Sequence, residues 1–203
     1  RKSWAFTTVR PEGMNTRPVH GWALPATAHA VFEHGDQRYL VLNDGRMMRF
    51  DGADAPDIVL GLGPRPMGIM GDVVLTSDGS TARLGDLSPR VENVEGTGVV
   101  KAIPVEGALV VLDERGTVQR WTPEVQQDVV NGVQSLHDAN DASVLVTQSV
   151  ALSVHALDGS GLVWTRPTRG SHGERITAGA LVEGGGVLVA REGYALSLIH
   201  ISE

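Results

Sequence analysis

The chain has 203 residues, a net charge of −7 and no cysteine, and 41% of its residues are hydrophobic. That hydrophobic fraction excludes a disordered chain, because disordered chains have few apolar side chains. The acidic balance excludes a general nucleic-acid binder, since phosphate backbones are bound by clustered lysine and arginine. No apolar run approaches the roughly 18 residues of a membrane-spanning helix. The absence of cysteine excludes disulfides and thiolate metal sites, and the compartment of the protein stays undetermined.

Both ends of the sequence carry information about completeness. The chain starts at Arg1 rather than at methionine and shows no leader, so we expect its natural N-terminus to be missing. Residues 1–27 are predicted to hold the end of a preceding repeat, around Ser3-Trp4-Ala5-Phe6, and a connecting loop. The last eight residues, 196–203, match the translation of a transposon-derived sequencing adapter, and we expect them to be a non-native tail.

Short apolar runs recur along the middle of the chain. They centre on Val41, Val74, Val110, Leu145 and Leu188, at spacings of 33, 36, 35 and 43 residues. Repeats of this length occur in helical arrays and in β-propellers. Helical arrays need long stretches of 3.6-residue periodicity, which glycine and proline interrupt throughout this sequence. The repeats are therefore predicted to be β-sheets.

Each repeat is predicted to contain about four short strands. In the first, Asp44-Gly45 is predicted to form a two-residue hairpin with positive φ angles. The second strand of each repeat is continuously apolar and should be buried on both faces, whereas third strands alternate more. The predicted strands are 28–33, 38–43, 46–50, 57–60, 73–77, 80–84, 108–113, 117–121, 143–148, 150–157, 162–167, 176–183 and 187–191.

The fold class predicted from these repeats is all-β, an incomplete β-propeller with about four full four-stranded blades and partial blades at both ends. Its blades are expected at 28–62, 66–95, 98–131, 132–169 and, partially, 176–195. Five second strands exclude a closed ring of four blades. We therefore expect this chain to be a fragment of a parent protein with six to eight blades.

The blades resemble two known repeat families. The fourth blade resembles those of the quinoprotein-type (pyrroloquinoline-quinone-like) propellers in Ala156-Leu157-Asp158, Gly161 and Trp164. Residues 115–121 and 78–84 resemble the third strand of WD40 blades, although the Trp-Asp pair and the opening Gly-His of that family are absent. These resemblances imply an architecture and leave the activity open.

Two groups of residues have the side chains of metal ligands. His29 and His34 lie near Asp36, and His137-Asp138 lies near Asp141. Neither spacing converges on one ion, so we expect solvated turn residues. The acidic stretches 51–57 and 137–141 lack the spaced pattern of a calcium loop, which predicts structural turns.

No pattern of catalytic residues or of a cofactor site is present. The glycine-rich stretches 61–64 and 184–186 precede no predicted helix, so they are not phosphate cradles. We assign no catalytic, cofactor-binding or metal-binding residue. Trp121 and Trp164 are expected to pack in the sheets, whereas His172, in the loop 169–175, and Trp22 are candidates for partner contact.

The function predicted from the sequence is that of a non-catalytic propeller, a scaffold or protein-interaction module that binds protein partners through the loops between strands. Neither nucleic acid nor a transmembrane segment is expected. Two alternatives stay open. A fragment of a quinoprotein dehydrogenase-like enzyme would need a catalytic carboxylate, a calcium site and a stacking tryptophan. A carbohydrate-binding propeller would be favoured by an exposed Trp22 beside carboxylates.

Overall fold

The computed structural model describes residues 22–50, 55–168, 176–183, 185–191 and 194–200, with the backbone alone from 191 onward. This part of the chain forms antiparallel β-sheets and contains no helix, so nothing in it is a helix that could span a membrane. The chain divides into two compact units, residues 1–94 and 95–203.

The first unit holds two sheets. Sheet 1 is a meander in which each strand pairs with the next, and sheet 2 repeats that arrangement with three strands. The two pack face to face through Val41, Met47 and Leu60 on one side and Ile69 and Val74 on the other. The strands are β1 (Ala28–His34), β2 (Gln37–Leu42), β3 (Met47–Phe50) and β4 (Asp57–Leu60) in sheet 1, and β5 (Pro66–Met70), β6 (Val73–Thr76) and β7 (Thr81–Arg83) in sheet 2.

The second unit holds three sheets, in which sheet 4 packs against both of the others. Val110 and Val118 of sheet 3 meet Val144 and Val146 of sheet 4. The other face of sheet 4 packs against sheet 5 through a cluster that includes Val187. The strands are β8 (Val99–Val105), β9 (Ala108–Asp113), β10 (Val118–Trp121) and β11 (Gln126–Val130) in sheet 3; β12 (Val133–Ala139), β13 (Ser143–Gln148), β14 (Ala151–Ala156) and β15 (Leu162–Pro167) in sheet 4; and β16 (Ile176–Val182), β17 (Gly186–Arg191) and β18 (Tyr194–His200) in sheet 5.

The prediction that second strands are buried on both faces is confirmed. In β9, five consecutive residues from Ala108 to Leu112 are buried, and successive residues of a strand point to opposite faces. Third strands are less uniform than the sequence predicted. β10 is buried only at its two ends, whereas β14 is buried at four successive positions because sheets cover both of its faces.

A β-bulge recurs at the same place in every sheet. The second residue of each first strand is an extra residue that has no partner opposite it. Each described fourth strand carries a bulge as well, and it interrupts the row of backbone groups at the sheet edge, which hinders pairing with another chain. The extra residues are His29, Met67, Val100, Gln134 and Thr177 in first strands, and Val59, Val129 and Val163 in fourth strands.

The predicted two-residue hairpin at Asp44-Gly45 is wrong in its length. The N–H of Leu42 donates to the Arg46 carbonyl at 2.9 Å, which leaves a loop of residues 43–45. Only Gly45 has a positive φ, of 81°, as expected for a tight turn followed by one left-handed residue. Asp44 instead stabilises the loop through its side chain, because Asp44 Oδ1 accepts the N–H of Arg46 at 3.2 Å.

The strand content of two predicted blades differs from the structure, and the sequence did not locate β5, β8, β11 and β12 within their blades. Sheet 2 has no fourth strand among the described residues, because the chain after β7 makes backbone hydrogen bonds to Val59 of β4 and to Gly61 and Leu62 in the connection that follows it. Sheet 5 was predicted to have only Tyr194-Ala195 of its third strand, and β18 continues to His200, with Val187 paired to Ile199. The adapter origin of residues 196–203 stays a prediction.

A lysine and an aspartate connect the three sheets of the second unit. The ammonium of Lys101, on β8, donates to the carbonyl oxygens of Leu136 at 2.9 Å and His137 at 3.0 Å. Those carbonyls lie at a second bulge in β12, where His137 is the extra residue. The next residue, Asp138, accepts the N–H of Leu181 in sheet 5 at 2.8 Å. Polar groups at this bulge thus bind across both sheet interfaces.

We expect Lys101→Met to lower the free energy of unfolding by about 1 to 3 kcal/mol, because it removes a charged donor from two carbonyls. Lys101→Arg should also destabilise the protein, since a planar guanidinium does not replace a compact ammonium between two oxygens. Urea unfolding measures both. Arg38→Met is the control, because it breaks only the exposed Arg38–Glu33 pair and should cost less than about 1 kcal/mol. Equal losses for Lys101→Met and Arg38→Met would contradict this assignment.

Candidate functional site

The segment after β7, residues 85–94, forms an irregular but well-anchored loop that we call the clasp. Its backbone runs beside the last strand of sheet 1 and the connection that follows it. The N–H of Gly85 donates to the Val59 carbonyl at 2.8 Å, and the N–H of Gly61 donates to the Asp86 carbonyl at 2.9 Å. The N–H of Arg90 donates to the Leu62 carbonyl at 2.7 Å. The clasp is therefore bound to β4 at Val59 and to the connection that follows this strand.

The side chain of Arg90 fixes the clasp from inside. Its Nη2 donates to the carbonyl oxygen of Gly45 at 2.9 Å and to that of Gly61 at 3.2 Å. Burial lowers the pKa of Arg90, and the nearby carboxylates of Asp78 and Asp86 act against that shift. The guanidinium stays protonated at any ordinary pH. One cation therefore joins the clasp, the hairpin at Gly45 and the connection at Gly61.

Asp78 fixes the far end of the clasp. Its Oδ2 accepts the N–H of Asn93 at 2.7 Å, and its Oδ1 accepts the hydroxyls of Thr76 at 2.5 Å and Ser80 at 2.7 Å. Burial would raise the pKa of Asp78, but these donors stabilise the carboxylate and hold the pKa at about 2. The side chain is only 7% exposed. The carboxylate is therefore a structural acceptor and not a proton-transfer group at neutral pH.

The glycines at 61–63 are required by close backbone packing. A Cβ on Gly61 would lie 2.5 Å from the carbonyl oxygens of Leu87 and Ser88 in the clasp. A Cβ on Gly45 would collide with the Gly63 carbonyl. Three layers of backbone meet here, and only glycine leaves room for them. This packing gives the glycine-rich stretch 61–64 a structural role.

The clasp and the connection beneath it present exposed apolar side chains. Leu62 is 46% exposed, Leu87 60%, Val91 90% and Val94 89%. Single exposed apolar residues are common, but four on one anchored loop system are characteristic of an interaction surface. We call Leu62, Leu87, Val91 and Val94 the apolar tip. Chemically, this arrangement can bind an apolar surface, and its anchored groups offer no nucleophile or base.

The residues of the two histidine groups do not converge in the structure. His29 and His34 lie at opposite ends of β1, roughly 16 Å apart at 3.3 Å per residue. The imidazole of His137 is hydrogen-bonded to the Thr147 hydroxyl at 2.7 Å, and burial followed by the charge of Lys101 lowers its pKa. Asp141 accepts the N–H of Glu106 at 2.7 Å. Within the described ranges, no three histidine or carboxylate side chains converge on a point.

The three tryptophans that the structure describes lie in packing positions, and Trp4 lies outside the described residues. Trp121 is buried, and Trp164 packs beside the cluster of Leu152 and Val154. Trp22, the predicted partner contact, is half-buried with its ring edge on Phe50, at a centroid distance of 6.1 Å. His172 and residues 51–54 lie outside the described residues.

The residues of the quinoprotein-like resemblance also have structural roles. Leu157 is in the core between sheets 3 and 4. Asp158 accepts the N–H of Ser160 at 2.8 Å in the turn before β15. The donors of Ser160 lower the pKa of the Asp158 carboxyl, which is exposed. The same Asp-Gly-Ser turn occurs at Asp78, where it is buried.

Sequence reasoning missed the clasp. The stretch 85–94 has no strand periodicity, so it was included in the second blade without a role. The available signal was the pair of glycines at 61 and 63, which indicates close backbone approach when no phosphate site is present. The partner segment could not be identified, because it follows Gly61 by about 25 residues and is fixed by one arginine.

Comparison with protein-family models and with curated proteins finds no match for this chain. Solved structures with the β-propeller fold do match. They include BBS1N in complex with ARL6DN (17% identity, TM-score 0.58, 92% of this chain and 70% of that one) and YCF48 bound to D1 peptide (14%, 0.60, 90% and 68%). BamB from Moraxella catarrhalis matches at 12% identity and a TM-score of 0.57, over 91% of this chain and 62% of its own. The chain thus has a β-propeller fold and spans about two thirds of the length of these structures.

We expect Asp78→Asn to destabilise the protein in a pH-dependent way. The pKa of Asp78 is lowered from 3.8 to about 2, which corresponds to roughly 2 kcal/mol of stability. A lowered carboxyl pKa stabilises the fold above pH 4, and that contribution is lost as the pH falls through 2. Urea unfolding of wild type and variant should therefore differ most at pH 7 and converge near pH 2.

Asp158→Asn is the matched control, because it changes the same Asp-Gly-Ser turn at an exposed position. It should lower stability less than Asp78→Asn does. A difference between wild type and Asp78→Asn that is the same at pH 7 and pH 2 would show that the carboxylate charge does not hold the clasp.

Proposed function

We propose that this chain is a non-catalytic protein-interaction module whose main contact surface is the apolar tip. The observation that carries the proposal is the exposure of Leu87, Val91 and Val94 on a segment that is anchored at both ends. Propellers bind partners through loops on a rigid scaffold, and the clasp is a loop of this kind.

The anchoring matters for affinity as well as for shape. A flexible loop loses conformational entropy when a partner immobilises it, and this loss weakens binding. The clasp is already held by Arg90, by Asp78 and by backbone hydrogen bonds at Gly85 and Gly61. Its exposed side chains can thus be buried by a partner at small further cost in backbone order. A small group of apolar residues at the centre of an interface commonly supplies most of its binding energy.

The comparisons support the proposal at the level of fold. One of the similar structures is BBS1N in complex with ARL6DN, and another is YCF48 bound to D1 peptide. Propellers with this arrangement of sheets therefore occur in complexes with a protein and with a peptide. Because fold alone does not determine function, the proposal rests on the apolar tip.

We also propose that the chain consists of quinoprotein-like and WD40-like blades at 28–62, 66–95, 98–131, 132–169 and 176–195, and that these belong to a longer propeller. The strand-end sequence Ala156-Leu157-Asp158 and Trp164 on β15 support the quinoprotein-like character of the fourth blade. The recurring first-strand bulges support one repeating unit. The full-length gene tests both statements.

The double substitution Leu87→Asp and Val91→Asp tests the binding function. Wild type and variant are immobilised and exposed to a lysate of the source cells, and bound proteins are quantified by mass spectrometry. We expect at least one protein to be lost about tenfold or more with the variant, because an interface would have to bury two unpaired carboxylates. The purified candidate is then titrated against both forms by calorimetry, where the same loss is expected.

Val150→Asp is the matched control. Val150 is 73% exposed in the turn between β13 and β14, so this variant adds one carboxylate, half the charge of the double variant, at another exposed valine. The Val150→Asp variant should still capture the protein that the Leu87, Val91 variant loses. If every captured protein binds wild type and the Leu87, Val91 variant equally, the apolar tip is not a binding surface.

A further inference from the structure

The chemistry of the clasp identifies the kind of segment that would bind it, and this inference rests on the proposed function. The clasp contains one basic residue, Arg90, and two acidic residues, Asp86 and Glu92. Arg90 is directed inward, where its guanidinium donates to the carbonyls of Gly45 and Gly61. Its charge therefore serves the interior of the clasp and is not presented to a partner.

The acidic residues have the opposite placement. Asp86 and Glu92 are both exposed. Asp86 uses one carboxylate oxygen, Oδ1, for the N–H of Ser88 at 3.0 Å, in an exposed turn. Each acid is the chain neighbour of a residue of the apolar tip, Asp86 of Leu87 and Glu92 of Val91. The exposed side chains of the clasp thus combine apolar groups with negative charge and include no cation.

We propose that the apolar tip and its two flanking acids form a docking site for a basic segment of a partner protein, one in which apolar residues alternate with lysine or arginine. Apolar contact with Leu87 and Val91 supplies affinity, since burial of exposed aliphatic surface is favourable. Pairing of the partner's cations with Asp86 and Glu92 supplies selection, because complementary charges steer association and like charges oppose it. An acidic segment of equal apolar content would be rejected.

The test uses the full chain and three short fluorescein-labelled peptides: one of alternating leucine and lysine, one of leucine and glutamate, and one of serine and lysine. Fluorescence anisotropy measures the affinity of each at low and at high salt. We expect the leucine–lysine peptide to bind about tenfold or more tightly than either of the others. Its affinity should fall with added salt, because screening weakens exposed ion pairs.

Two double variants separate the two contributions. Asp86→Asn with Glu92→Gln should weaken binding of the leucine–lysine peptide about fivefold and reduce the salt dependence of that binding. Leu87→Ser with Val91→Ser should weaken binding of the same peptide about tenfold and leave the salt dependence of binding unchanged. The matched control is Glu124→Gln with Val125→Ser, an exposed acid beside a valine that is 59% exposed in the turn before β11. It should bind as wild type does.

The inference is overturned if the leucine–glutamate peptide binds as well as the leucine–lysine peptide, or if the Asp86, Glu92 variant retains wild-type affinity. The proposed function can fail separately. Consider a natural partner that loses binding to the Leu87→Asp, Val91→Asp variant and keeps binding to the Asp86→Asn, Glu92→Gln variant. That result would support the protein-interaction function and contradict a basic partner segment. Equal loss of peptide binding in the Glu124, Val125 control would show general attraction to an acidic protein.

Discussion

The guanidinium of Arg90 is the contact on which the position of the clasp depends. It binds the carbonyl oxygens of Gly45 and Gly61, two points of sheet 1 that face the clasp. Backbone carbonyls at turns lack partners within a sheet, and an arginine can satisfy two of them at once because its donors have a fixed planar geometry. The glycines follow from the same contact, since any side chain at 45 or 61 would separate the layers that Arg90 joins. Removing the cation would take this donor from both carbonyls and loosen the middle of the clasp, while Asp78 and the backbone hydrogen bonds at Gly85 and Gly61 would still hold its ends.

In the second unit, other charged side chains bind the backbone groups at irregular points between the sheets. The carbonyls of Leu136 and His137 lie at a bulge in β12, and the Lys101 ammonium binds both. Asp138 then accepts a backbone N–H from sheet 5. In both units, repeating sheets supply apolar faces that pack without much specificity. The irregular points between them are fixed by single charged side chains bound to backbone atoms. A charged hydrogen bond to a backbone group has a defined direction, which apolar packing lacks.

Much of the fold could be predicted from the sequence because it rests on local signals. The second strand β9 was predicted with its observed bounds, since a continuous apolar run between turn residues has few other interpretations. The length of the turn at Asp44-Gly45 was wrong because Asp44 forms a side-chain hydrogen bond to Arg46 instead of adopting a positive φ. The missing strand of sheet 2 and the apolar tip depend on contacts between residues 45, 61 and 90. No periodicity in one sequence reports such contacts, and the candidate site was accordingly not predicted.

The position of the apolar tip follows from the repeat itself. A regular fourth strand after β7 would have paired with that strand, and its successive side chains would have pointed to opposite faces of the sheet. The clasp instead pairs with the neighbouring sheet, so its own residues are free of the strand alternation and can present Val91 and Val94 to solvent together. A repeat protein varies its binding surface most readily where one repeat departs from the pattern, because the remaining sheets still bury the core. The departure at residues 85–94 keeps the packing of Ile69 and Val74 against sheet 1. The exposed side chains of this segment can therefore vary without loss of the packing between sheets 1 and 2.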